Sequence, residues 1–189
     1  MGKKVLVVVD CQYDFINPDG ALYVKDGEKL QDKIMKIISD FDGVIFTQDW
    51  HPLDHCSFKE NGGIWPVHCV VDTVGVGIPL ELFKAAKNYI TYSKGAFTEE
   101  YGAFDTSKVN ITFSKTCGSM FYDKSFANSS LDSVVVCGIA GDYCVLETLK
   151  NIVNEVGSEK VYVYLDGIVS IDGGEKLNNY IKENNINVY

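Results

Sequence analysis

The sequence predicts an α/β fold on a mostly parallel sheet. Two observations carry this. Several short runs are apolar throughout, as strands buried on both faces are. These runs alternate along the chain with segments whose apolar residues recur at helical spacing. The length of 189 residues fits one domain, and no linker, repeat or low-complexity stretch divides it, so residues 1–189 are read as a single domain.

The elements follow in order. Lys4 to Asp10 (KVLVVVD) is the first strand. Asp26 to Phe41 has apolar residues at 30, 34, 37, 38 and 41, which predicts a helix. Gly43 to Asp49 (GVIFTQD) is the second strand. The stretch from Trp50 to about Gly77 is rich in Gly, His, Cys and Pro and reads as a loop, long enough to expect a functional one. Pro79 to Ala86 is a short helix opened by its proline. Strands are expected at Tyr89 to Ser93, Val109 to Ser114, Ser133 to Ile139 (SVVVCGI), Lys160 to Leu165 and Ile186 to Tyr189. Asp142 to Val156 is a helix with apolar residues at 145, 149, 152, 153 and 156, and Gly174 to Asn184 is a polar one.

Composition narrows the function. With 46% hydrophobic and 23% charged residues the chain is an ordinary globular mixture, not a disordered one. A net charge of −9 is the wrong sign for a protein that neutralises phosphates, so no nucleic-acid partner is expected. The apolar run Val5 to Val9 is too short for a signal-peptide core, and Gly2 lacks the Ser/Thr of a myristoylation signal. No run approaches the roughly 18 apolar residues of a membrane helix. The chain is therefore expected in the cytoplasm, without a membrane partner. There the six cysteines (11, 56, 69, 117, 137, 144) read as thiols, and no C-x-x-C suggests a zinc knuckle.

In an open α/β sheet, ligands bind beyond the carboxyl ends of the strands. Asp10, Asp49 with His51, Lys94 and Cys144 all fall there. Cys144 lies in GIAGDYCV, a glycine-containing strand-to-helix turn; N–H groups at such a turn lower a thiol pKa and can bind an oxyanion. Asp10 could take the thiol proton and return it to a leaving amine. Lys94 could stabilise both anions. The other cysteines read as buried apolar residues. In Asp49-Trp50-His51, side chains i and i+2 share a side of an extended segment, and His68 would complete an N/O ligand set with open positions. Such a set suits Zn, Fe, Mn or Ni; His55 and Glu60 are further candidate ligands. Phe15, Trp65 and Tyr101 could wall a flat substrate, or pack as ordinary core.

These residues stand in VDCQYDF (9–15), TQDWHPLDHCSF (47–58), WPVHC (65–69), SKG (93–95), EEYGAF (99–104) and CGIAGDYCV (137–145). In that order and across most of the chain, they resemble the nicotinamidases among the isochorismatase-like cysteine hydrolases. The resemblance implies a three-layer, Rossmann-like sheet of about six strands with helices on both faces. It implies a triad of Asp10, Lys94 and Cys144, and an oxyanion hole from the Ala140 and Cys144 amides beyond an Ile139–Ala140 cis peptide. It implies a divalent metal on Asp49, His51 and His68 that binds the pyridine nitrogen of nicotinamide, taken as zinc, with Phe15, Trp65, Tyr101 and Ile139 around the ring. The family is often homo-oligomeric and serves NAD salvage. Two positions depart from the family pattern, Gly102 and Gly141. Lys115, in ITFSKTCGSMF, resembles the lysine of the sister branches; Lys94, followed by Gly and EEYGAF, has the nicotinamidase arrangement and is preferred.

The expected reaction is hydrolysis of nicotinamide to nicotinate and ammonia through a Cys144 thioester. Three alternatives stand beside it. One is a sister hydrolase acting on another small amide or on isochorismate. Another is a metallohydrolase in which Cys144 is structural. The third is an inactive metal- or nicotinamide-binding protein.

Overall fold

A computed structural model describes residues 2–94 and 131–189, with Lys94 described by its backbone alone. Its strands are β1 (Lys3–Val9), β2 (Gly43–Asp49), β3 (Tyr89–Lys94), β4 (Leu131–Ile139), β5 (Val161–Val169) and β6 (Asn187–Val188). Its α-helices are α1 (Tyr13–Ile16), α2 (Leu30–Met35), α3 (Leu80–Ala85), α4 (Leu146–Val156) and α5 (Glu175–Glu183). The expected strand at 109–114 lies outside the described residues, as do Tyr101, Gly102, Lys115 and Cys117.

The six strands form one sheet in the order β3-β2-β1-β4-β5-β6, and every pairing is parallel. This is a doubly wound α/β sheet. The direction of winding reverses between β1 and β4, which opens a crevice beyond their carboxyl ends. Asp10 leaves β1 at that crevice, and Ala140 leaves β4 there.

Two cores flank the sheet because side chains alternate along each strand. Val5, Val7 and Val9 of β1 pack with Leu146, Leu149 and Ile152 of α4 and Leu177 and Ile181 of α5. Leu6 and Val8 pack on the other face with Leu30 and Ile34 of α2 and Leu82 of α3. All five of these β1 side chains are completely buried, which explains the unbroken apolar run.

The structure redraws two expected helices. The segment 26–41 is broken: a 3₁₀ turn (Gly27–Lys29), the six-residue α2 and a second 3₁₀ turn (Ile38–Asp40). The spacing nonetheless marks the buried face, since Leu30, Ile34, Ile38 and Phe41 are all buried. Asp26 enters with φ 71°, a left-handed conformation that cannot belong to a helix, and β-branched Ile34, Ile37 and Ile38 are weak helix formers. The helix expected from Asp142 begins as a five-residue π-helical turn, Gly141–Val145, and becomes α-helical only at Leu146. The last strand shrinks to two residues. β5 runs on to Val169, past a register shift opposite Val136 and Gly138, where its apolar alternation lapses. Among the described residues no helix is long and apolar enough to cross a membrane.

Candidate active site

Asp10 is completely buried and has φ 47°, so the chain turns sharply as it leaves β1. Its amide donates to the Thr47 carbonyl at 3.1 Å, and the Thr47 hydroxyl donates to Asp10 Oδ1 at 2.6 Å. Two residues on, the buried Gln12 side chain bridges to Asp49: Nε2 donates to the Asp49 carbonyl at 2.8 Å, and Oε1 accepts from the Asp49 amide at 2.7 Å.

The loop after β2 is held in place by backbone pairing. The His51 amide donates to the Cys69 carbonyl at 3.0 Å, and the Val71 amide to the His51 carbonyl at 2.9 Å. A bridge between Phe58 and Trp65 closes the loop further out. His68 is thereby brought beside His51. Nδ1 of His68 donates to the Pro66 carbonyl at 2.7 Å, which leaves the Nε2 lone pair free to ligate. His51 Nε2 and His68 Nε2 stand 3.5 and 3.7 Å from Asp49 Oδ2. Two atoms each about 2.0–2.2 Å from a tetrahedral zinc stand about 3.4 Å apart, so the three buried side chains fit one divalent ion.

His55 stacks on His51, with ring centroids 4.0 Å apart. Its Nδ1 accepts from the Ser57 amide at 3.3 Å, so the neutral ring carries its proton on Nε2. Burial, reinforced by His51, pushes its pKa down to about 4. Glu60 is exposed on a 3₁₀ turn. Among the described residues the converging groups of potential ligands are Asp49, His51 and His68, and Asp10, Asp49 and Cys144. Within the second group a carboxylate oxygen of each aspartate and the Cys144 sulfur all lie within 4.8 Å of one another.

Cys144 sits half-buried in the π-helical turn. The amides of Tyr143 and Val145 both donate to the Ala140 carbonyl at 3.1 Å, which winds the turn wide. Asp142 Oδ1 accepts from the Ile171 amide at 2.8 Å and ties the turn to the loop after β5. The Ile139–Ala140 peptide is cis. A β-carbon at Gly141 would stand 1.9 Å from Ser170 Oγ, so in this chain the serine occupies the space a side chain at 141 would need.

The expected ring-binding residues divide. The Phe15 ring lies 5.5 Å from the His68 ring. Trp65 meets Tyr143 edge to face at 5.2 Å, and Lys176 lies 5.0 Å over the other ring of that pair, Tyr143. Ile139 is completely buried in the core, so its backbone is what it offers the crevice. Lys94 closes β3 in register with Asp49. Sequence reading missed Thr47, Gln12 and Asp14. Thr47 and Asp49 share a side of β2, but Gln12 and Asp14 lie beyond β1, at and within α1, where strand alternation gives no signal.

Of the remaining described cysteines, Cys11, Cys69 and Cys137 are buried as expected, whereas Cys56 is only half-buried on the loop. Burial pushes Cys11 up to about 12 and Cys137 well above the ordinary thiol range.

No protein-family model matches the chain. It is 32% identical to the nicotinamidase of Saccharomyces cerevisiae, over 98% of each chain. Its fold superposes on the pyrazinamidase of Pyrococcus horikoshii in complex with zinc, with a TM-score of 0.79 and 28% identity over 99% of this chain and 98% of that one. PnC1 from L. infantum in complex with nicotinate gives a TM-score of 0.80 and 29% identity, over 100% of this chain and 92% of that one. Identity at that level along nearly the full length of both sequences, on the same doubly wound sheet, means that the chain belongs to the nicotinamidase family of amidohydrolases.

Proposed function

We propose that the chain hydrolyses nicotinamide to nicotinate and ammonia through a Cys144 thioester. The observation that carries this is the shared position of Asp49. It belongs to the Asp-His-His cluster, and it also lies within 4.8 Å of both Asp10 and the Cys144 sulfur. A ligand that binds a metal through a ring nitrogen would thus present to the thiol a carboxamide carried on ring carbon 3, meta to that nitrogen. Relatives bound to nicotinate and to the inhibitor nicotinaldehyde support the same ligand shape, and an aldehyde is a carbonyl to which a thiol can add.

In this reading Asp10 accepts the Cys144 proton, and the sulfur attacks the carboxamide carbon. The Ala140 and Cys144 amides receive the negative charge that develops on oxygen. Asp10 returns its proton to nitrogen as the carbon–nitrogen bond breaks, and ammonia leaves an acyl thioester. Water, deprotonated by Asp10, then releases nicotinate and regenerates the thiol. Lys94 stabilises the anions from the end of β3. Asp49, His51 and His68 would hold the metal, which supplies a Lewis acid for the pyridine nitrogen. Phe15 and Trp65 flank the ring.

The test is ammonia release from nicotinamide, pyrazinamide and benzamide, with acid quenching and mass analysis of Cys144. Nicotinamide should turn over and leave a nicotinoyl adduct on Cys144. Benzamide, which lacks the ring nitrogen, should be slower by about 100-fold or more, the loss of one strong orienting contact. Turnover of none of the three overturns the reading. Turnover with no trapped adduct and an active Cys144→Ala variant overturns the covalent route.

A further inference from the structure

We infer that Gln12 and Asp14 are positioning residues for the metal, holding Asp49 and His68 in place from a segment that supplies no ligand. This rests on the reading of Asp49, His51 and His68 as ligands. β1 and β2 pair only as far as Val9 and Thr47, because the chain turns away at Asp10. The Asp49 peptide therefore loses its strand partner on the β1 side. The Gln12 amide takes that place, donating to the Asp49 carbonyl and accepting from the Asp49 amide as a neighbouring strand would. Its second N–H donates to the Val76 carbonyl at 2.9 Å and pins the far end of the metal loop.

Asp14 does the same for His68. One carboxylate oxygen accepts from the Cys69 amide at 2.7 Å, next to the ligand, and the other from the Ala21 amide at 3.1 Å. Cys69 has φ 47°, so the chain bends immediately after His68 and needs an anchor there. A β-carbon at Gly75 would stand 2.1 Å from the Asp14 carboxylate, so that glycine keeps room for the contact. The Tyr13 amide donates to the Gly77 carbonyl at 2.8 Å between the two anchors. One short segment thus sets the spacing between a carboxylate ligand on β2 and an imidazole ligand on the loop. Outer partners of this kind typically change metal affinity by about 10–100-fold when removed.

The experiment measures zinc affinity by competition with a chromophoric chelator on metal-stripped protein, alongside thermal unfolding of the same metal-free samples. Gln12→Met and Asp14→Ala should each weaken zinc by about 10–100-fold. Asp14→Asn, which keeps a carbonyl for the Cys69 amide, should recover most of that loss. A purely structural role would lower the metal-free melting temperature and leave zinc affinity of the folded protein within twofold of wild type, and that result overturns the inference. Should Gln12→Met fail to fold, the Asp14 pair decides. Tight zinc binding by wild type that is lost in His51→Ala isolates the positioning role as the quantity tested. A wild-type chain that takes up no zinc overturns the ligand reading and this inference with it.

Discussion

The Thr47 hydroxyl donates to Asp10 Oδ1 at 2.6 Å, and both residues are completely buried. Thr47 Oγ1 also lies 3.3 Å from the Asp10 amide. One residue thus fixes the backbone and one carboxylate oxygen of the proposed proton carrier. A hydrogen bond to a charged group contributes about 1.5–3 kcal/mol, roughly 10–100-fold in rate. Thr47→Val should lower kcat by that factor with KM little changed, and Thr47→Ser should restore it. Steady-state kinetics on nicotinamide reads both.

Cys144→Ala should reduce ammonia release by more than about a thousandfold, since a chain without its nucleophile retains only binding and oxyanion stabilisation. The melting temperature should stay close to wild type, because the thiol is only half-buried, at the margin of the core it packs against. Asp10→Asn keeps an acceptor for the Thr47 hydroxyl but removes the proton acceptor, and should cost about 10²–10⁴-fold.

Gly141→Ala should destabilise the fold by about 1–3 kcal/mol, the ordinary cost of overpacking. Its β-carbon would meet Ser170 Oγ at 1.9 Å and Ile168 Cγ2 at 2.9 Å. Adding Ser170→Ala to the same chain should recover part of the loss. Urea denaturation of the two single variants and the double variant measures the coupling.

Burial, and secondarily the charge on Asp10, push the Cys11 thiol from its ordinary 9.0 up to about 12. Above pH 9 the unfolded thiol ionises while the folded one keeps its proton. This contribution to stability is therefore complete below pH 9 and is lost as pH rises towards 12, by up to about 1.4 kcal/mol per pH unit. The urea midpoint should fall between pH 8 and 10.5, and Cys11→Ala should flatten that fall. At pH 8, iodoacetamide should label Cys144 in the native protein and leave Cys11 and Cys137 unlabelled until urea is added.

The sheet and the outward ends of its strands were legible because burial on both faces leaves an uninterrupted apolar run, and a charged residue such as Asp10 or Asp49 marks where that run stops. The buried stripe of 26–41 was legible for a related reason: 3₁₀ and α turns keep Leu30, Ile34 and Ile38 on one side, so spacing reports the face and not the winding. The π turn at Cys144 was not legible, because five residues are too few to separate its period from 3.6. Thr47, Gln12 and Asp14 escaped notice because their roles depend on register between β1 and β2 and on where a loop folds back. Neither is written in local pattern. The Asp49, His51 and His68 cluster was visible as composition, all the histidines in one stretch, while the tautomers of His55 and His68 follow from contacts with Ser57 and Pro66 that only folding creates.

The strand order has a consequence for synthesis on the ribosome. β1 is made first, yet its partner β4 begins only at Leu131, after about two-thirds of the 189 residues. Until then one long edge of β1 has no ladder to join, and an apolar strand with an open edge invites pairing with other chains. Asp10 and Cys144 also lie just past those two strands' ends, so a truncated nascent chain holds the proposed metal ligands but not the proposed catalytic pair. Closing the middle of the sheet is the step that shields that edge and, in the same event, brings Asp10 and Cys144 together.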